Sequence, residues 1–246
     1  MKALSLLLGG KFLQLLGFVK FGKLLTTGGT MIVSVAAYAF VFGWWYAAGF
    51  VALLFAHEMG HYIAARQRKL EVGAPTFIPF VGAWIALRDL PHDAETEAYV
   101  GLGGPFAGTL AALACYFLSR QTDSGLLLAL SYAGFFLNLF NLIPLSPLDG
   151  GRITAVLSPR VWLLGVPVLI GAFVWNPSPM LLVIAFLAVP QVWKAIRYDP
   201  SLPENQAYYN VSAEVRLTYG AYYLILLVVL GTMSYEVHEM LGPQRG

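Results

Sequence analysis

The chain has 246 residues, of which 58% are hydrophobic and 11% charged, whereas a soluble domain carries about 25% charged residues. With a mean hydropathy of +0.69 there is too little polar surface to cover a globule in water, so the chain is expected in a lipid bilayer. A net charge of +2 provides no basic field of the kind that binds nucleic acid.

Residues 1–27 space Lys2, Lys11, Lys20 and Lys23 among Leu and Phe, which predicts an amphipathic segment lying on a membrane surface. No small-residue cleavage site follows a short apolar core, so no removable signal peptide is expected. Apolar runs that suit a bilayer, where about 20 residues span the hydrocarbon, then predict spans at 29–46, 47–66, 98–119, 125–145, 160–175, 179–196 and 217–237. The fifth is short and contains Pro167, and Asn176-Pro177-Ser178-Pro179 marks a turn after it. The expected fold is an all-α polytopic membrane protein with six to seven transmembrane helices. It divides into a transmembrane core at 28–197, a polar connector at 198–216, and a last helix with its tail at 217–246. Cys115 lies in an apolar run and reads as a small buried hydrophobe.

Lysine and arginine collect on the cytoplasmic side of membrane proteins. With the N-terminus inside, these spans place every Lys and Arg except Arg120 and Arg245 on one side. The expected topology therefore has a cytoplasmic N-terminus.

Within the second span stands His57-Glu58-Met59-Gly60-His61. On a helix, positions i and i+4 share a face, so both imidazoles can reach one ion. The glutamate beside the first histidine can take a proton from a water whose pKa zinc lowers to about 7. The bland alternative is a buried polar cluster in a helix bundle, which is expensive inside a membrane, where ionisable groups are rare and usually functional. His57 and His61 are read as metal ligands and Glu58 as the catalytic base.

A catalytic zinc site has three protein ligands and leaves one position for water. His92 falls in a polar loop and His238 beyond the last span, on the opposite side by the charge count. Asp149, in Leu145-Ser146-Pro147-Leu148-Asp149-Gly150-Gly151-Arg152, falls on the same side as the histidines. Alone it reads as a turn or cap residue; beside the histidine motif it reads as the third ligand. The catalytic core is then 47–155. Asn138, three residues before Asn141 on one helix face, reads as interhelical glue, and Arg152 as an interfacial anchor.

Between the second and third spans, residues 75–87 are apolar and aromatic but interrupted by Pro79 and Gly82. This pattern predicts a short membrane-entering β-hairpin. Backbone at that depth must be shielded by protein or line a wet cavity.

The His-Glu-x-x-His helix and the Asn141-Leu142-Ile143-Pro144…Asp149-Gly150 segment together resemble the site-2 protease family of intramembrane zinc metalloproteases. Tyr99-Val100-Gly101-Leu102-Gly103-Gly104-Pro105-Phe106-Ala107-Gly108 is similar to that family's Gly-Pro segment. The resemblance covers about residues 50–155 and includes no PDZ-type insertion. One departure is Gly108, where many members have asparagine.

The resemblance implies a zinc endopeptidase with one Zn2+ per chain and a catalytic water. It implies cutting of membrane-protein substrates, single-span ones foremost, in or near their transmembrane segments during regulated intramembrane proteolysis. It also implies a substrate-binding role for Asn141, on substrate backbone or a developing oxyanion, and for Val81, Gly82, Ala83 and Trp84, as a hairpin edge on which an unwound substrate adds a strand. A packing loop without substrate contact is the equal alternative for the hairpin. The expected location is a bacterial plasma membrane, multi-pass, with the active site opening to the cytoplasm. Two rival readings are a membrane metal carrier, since intramembrane His and Asp also line ion paths, and a catalytically silent scaffold that keeps the protease fold.

Overall fold

A computed structural model of the chain describes residues 26–80, 82–87 and 90–242. Most of the amphipathic segment expected at 1–27, and Val81, lie outside the described residues. The described chain is mostly helical. Apolar helix α1 covers Thr26–Phe42, and α2 follows at Trp44–Gln67. Gly43 between them adopts φ 83°, a left-handed conformation open to glycine at little steric cost. The turn thus falls at Gly43, and α2 starts three residues before the expected 47.

Antiparallel strands β1 (Val72–Ile78) and β2 (Gly82–Leu87) pair with Thr76 opposite Trp84 and Ile78 opposite Gly82. Phe80, at φ 61°, lies in the connecting turn. The first strand begins earlier than the expected 75, and a register shift between Val72 and Pro75 marks the place. Within sheets proline is confined to edges and bulges, and Pro75 meets both conditions, its carbonyl turned outward to Thr27.

Helices α3 (Ala94–Thr122), α4 (Gly125–Asn141) and the short α5 (Asp149–Thr154) follow. A 3-10 turn at Pro159–Leu164 leads into α6 (Gly165–Trp175), then α7 (Pro179–Ile196), α8 (Pro203–Tyr209) and α9 (Ala213–Leu241). By length and composition, three helices among the described residues are long and apolar enough to cross a membrane: α3, α7 and α9. The apolar stretches Thr26–Phe42, Gly125–Asn141 and Pro159–Trp175 are shorter. Helix α4 stops at Asn141, short of the expected 145, because Pro144 and Pro147 follow and neither can continue a helix.

Helix α3 is the hub, packing against α2, α4, α5 and α9. Its approach to α2 depends on glycine pairs. A β-carbon on Gly60 would stand 2.7 Å from the β-carbon of Ala107, and one on Gly103 would stand 2.6 Å from the carbonyl oxygen of Gly60. Small residues that let backbones meet are the usual solution where lipid provides no hydrophobic drive between helices. At the other end of α2, Arg68 donates to Glu95 at 2.9 Å and lies over the ring of Tyr99. Helix α8, inside the expected polar connector, is tied to α3 by Tyr208, whose hydroxyl donates to Glu97 at 2.6 Å. Burial and the Glu97 carboxylate push that phenol well above its ordinary pKa, so it remains a donor.

Candidate metal centre

Two turns of α2 set the site. His57, Glu58 and His61 are all buried, and the i, i+4 spacing turns both imidazoles toward α3 and α4. Asp149 enters from the first turn of α5 and is also buried. Its Oδ2 lies 3.1 Å from His57 Nε2 and its Oδ1 lies 3.2 Å from His61 Nε2. The two Nε2 atoms are themselves 3.1 Å apart. Among the described residues, His57, His61 and Asp149 are the one group of three or more such side chains that could hold a metal ion.

The opposite face of each ring fixes which nitrogen carries the proton. His61 Nδ1 lies 2.8 Å from the carbonyl oxygen of Val100. A carbonyl only accepts, so Nδ1 donates. His57 Nδ1 lies 2.8 Å from Asn138 Oδ1. The amide orientation follows from its other end, since Asn138 Nδ2 donates to the Gly134 carbonyl at 2.7 Å. With Nδ1 as the donor, the neutral form of each imidazole presents its Nε2 lone pair to the other ring and to the carboxylate.

These lone pairs repel unless a cation lies among them. One proton can bridge a single pair, whereas a divalent ion satisfies all three side chains at once. Tetrahedral zinc with bonds of about 2.0–2.1 Å holds its donor atoms about 3.3 Å apart, close to the 3.1–3.2 Å observed. The donor set of two imidazoles and one carboxylate is one that zinc uses in catalytic sites. The residues fit the metal.

The loop that delivers Asp149 is folded tightly. A β-carbon on Gly150 would collide with the Leu142 and Ile143 carbonyls, and one on Gly151 would stand 2.5 Å from Ser146 N. Trp162 Nε1 donates to the Gly151 carbonyl at 2.8 Å, and Thr154 Oγ1 donates to the Gly150 carbonyl at 2.6 Å. Gln191 of α7 accepts from Ser146 N, and Tyr223 of α9 donates to the Leu142 carbonyl at 2.7 Å. Helices on either side thus fix where the carboxylate stands.

The other residues singled out in the sequence distribute as follows. His92 and His238 are exposed and outside the group. Asn141 sits at the end of α4, its amide donating to the Leu137 carbonyl at 3.1 Å. Gly82, Ala83 and Trp84 begin β2, and Ala83 packs against the cluster around Tyr38 and Phe77.

Two residues do more than the sequence indicated. Arg152, read as an interfacial anchor, also stands beside the metal group: its side chain is 23% exposed and its Nη1 lies 3.9 Å from Asp149 Oδ1. Asn138 does join two helices, but it does so on a histidine. The signal available in the sequence was an amide in an otherwise apolar helix, and nothing local named its partner.

The model of Peptidase family M50 matches residues 45–124. The zinc metalloprotease MJ0392 of Methanocaldococcus jannaschii is 32% identical over 111 residues, which are 42% of this chain and 32% of that protein. The Arabidopsis thaliana protein named "Probable zinc metalloprotease EGY1, chloroplastic" is 27% identical over 153 residues, 43% of this chain and 28% of that protein. The chain thus spans about a third of the length of the curated relatives it matches. A solved structure, the site-2 protease from Methanocaldococcus jannaschii, aligns with 69% of this chain and 88% of that one, at 21% identity and a TM-score of 0.45. The M50 match includes the His57–His61 helix and the Gly-Pro segment, and it stops before Asp149.

Proposed function

We propose that the protein is an intramembrane zinc metalloprotease of the site-2 type, hydrolysing peptide bonds in or near transmembrane segments of membrane-protein substrates. The observation that carries this reading is the buried convergence of His57 Nε2, His61 Nε2 and the Asp149 carboxylate, with Glu58 on the same helix turn. His57, His61 and Asp149 hold one Zn2+. Bound there, zinc supplies Lewis acidity for the scissile carbonyl and brings the pKa of a water to about 7.

Glu58 takes a proton from the attacking water as its oxygen joins the carbonyl carbon. It then delivers that proton to the amide nitrogen as the carbon–nitrogen bond breaks, so no covalent enzyme intermediate is needed. The Arg152 guanidinium stands beside the third ligand, its Nη1 3.9 Å from Asp149 Oδ1, and adds positive charge next to that carboxylate.

The hairpin presents the substrate. The outer edge of β1 is taken by α1: Thr27 Oγ1 donates to the Pro75 carbonyl at 2.8 Å, and Phe77 N donates to Thr30 Oγ1 at 3.2 Å. This leaves the outer edge of β2, which packs beside α2, for an unwound substrate segment to add a strand. Asn141, at the end of α4, bonds substrate backbone. The chain is a multi-pass protein of the bacterial plasma membrane with six to seven spans. Its N-terminus and the mouth of the site are cytoplasmic, as the lysine and arginine distribution favours.

The test is co-expression with single-span membrane proteins, comparing wild type with Glu58→Gln and with chelator-treated membranes. Cleavage that depends on both Glu58 and zinc supports the reading. Zinc flux in liposomes that is indifferent to Glu58→Gln would instead make the protein a carrier, and a partner bound but never cut would make it a scaffold.

A further inference from the structure

We infer that Asn138 is the positioning residue of the metal centre, and that the missing side chain at Gly108 is what admits it. The inference rests on the metalloprotease reading and assigns parts that the ligand set leaves open.

Asn138 is 2% exposed, deep between α2, α3 and α4, and both ends of its amide are engaged. Oδ1 accepts from His57 Nδ1 at 2.8 Å, while Nδ2 donates to the Gly134 carbonyl one turn earlier on α4. The second bond stops the amide from flipping. The first therefore always presents an acceptor to His57, which keeps the proton on Nδ1 and the lone pair on Nε2. A flipped amide would present N–H to Nδ1 and turn the imidazole into the tautomer that cannot ligate. Ligating histidines commonly give their other nitrogen to a carboxylate, carbonyl or water, and loss of that partner costs about 10- to 100-fold in metal affinity or activity. His61 has a backbone carbonyl, Val100, in this place. His57 depends on a side chain, and so on residue identity.

The space for that side chain comes from α3. A β-carbon built on Gly108 would stand 2.6 Å from Asn138 Nδ2 and 2.8 Å from Cγ, and closer still to Oδ1. Even a methyl group at 108 must push the amide off His57. Gly108 itself touches neither histidine in any hydrogen bond, so its effect on the metal has to pass through Asn138.

The full-length protein, purified in detergent, is titrated with Zn2+ alone against a chromophoric chelator. Asn138→Leu, close in shape but without an acceptor, should weaken Zn2+ binding by about 10- to 100-fold. Asn138→Asp, which keeps an acceptor facing Nδ1, should restore it. Gly108→Ala should weaken binding when Asn138 is present and add nothing in an Asn138→Ala background, where the methyl has room. Because Gly108→Ala leaves Asn138 in the chain, it also serves if Asn138→Leu does not fold.

Equal Zn2+ affinity in wild type and Asn138→Leu would overturn the inference and leave the metalloprotease reading intact. So would failure of Asn138→Asp to restore binding, or additive losses in the double variant. Wild type that takes up no Zn2+ would overturn both.

Discussion

Gly104 of α3 lies flat against the imidazole of His61: a β-carbon there would stand 2.5 Å from Cε1 and 2.7 Å from Cδ2, and nearer still to Nε2. The proposed ligand atom is thus reached only because residue 104 has no side chain. Gly104→Ala should cost about 1–3 kcal/mol, the usual range for overpacking, and most of that should appear as lost Zn2+ affinity. Chelator competition combined with thermal unfolding separates the two. A fall in melting temperature with unchanged Zn2+ affinity would mean that the backbone yields and the ring does not.

Glu58 has a different relation to the metal. It is buried beside the ligands and outside the three-residue group. Glu58→Gln should therefore keep Zn2+ and lose about 10^2- to 10^4-fold in cleavage rate, the range attributed to general acid–base catalysis. Asp149→Asn leaves an uncharged ligand beside two imidazoles and should lose Zn2+ and cleavage together. Metal content and cleavage measured on the same preparations check both. Normal turnover by metal-loaded Glu58→Gln would remove the proposed base.

How far the site was legible depended on whether each contact is local. His57 and His61 are four apart, and helix geometry alone places them on one face. Asp149 was reachable because the spans alternate sides and Pro144 and Pro147 break the helix before it. Asn138 was not readable as a histidine partner. Its spacing gives a face of α4, but which face meets α2 is decided by packing across Gly134, Ala112 and Leu53. The role of Gly108 was hidden for the same reason, since a glycine records nothing about the neighbour that fills its place. The start of β1 was missed because in Val72-Gly73-Ala74-Pro75 the one branched strand former, Val72, is followed by glycine, alanine and proline, which strands disfavour.

The glycine contact between α2 and α3 gives a stability prediction separate from chemistry. Gly60 and Gly103 bring the two backbones into contact, so Gly103→Val should force α3 away from α2. The direct cost is about 1–3 kcal/mol, and because Val100 moves with α3, His61 should lose its orienting carbonyl as well. Gly171→Val is the control, since a β-carbon there meets no atom within 4 Å. Thermal unfolding in detergent should show a clear loss for the first variant and little change for the second. Equal melting temperatures would mean that the close approach contributes no stability.

The β2 edge makes the sharpest claim about substrate, because ladder alternation divides its residues into two sets. Phe77 and Pro75 use their backbone groups toward α1, so their partners Ala83 and Ile85 are non-hydrogen-bonded pairs whose own N–H and C=O point outward. Trp84, opposite Thr76, points inward to the ladder. Proline at 85 therefore deletes an edge donor and leaves the hairpin's own bonds, whereas proline at 84 breaks a bond within the hairpin. If substrate adds as a strand on β2, Ile85→Pro should reduce cleavage of a membrane-embedded substrate by about 10-fold, as expected from about 1.5 kcal/mol for a lost hydrogen bond. Zn2+ affinity and melting temperature should stay near wild type. Trp84→Pro should lower melting temperature as well. Cleavage that survives Ile85→Pro unchanged would reduce the hairpin to a packing element, and the substrate would then have to be held by the helices alone.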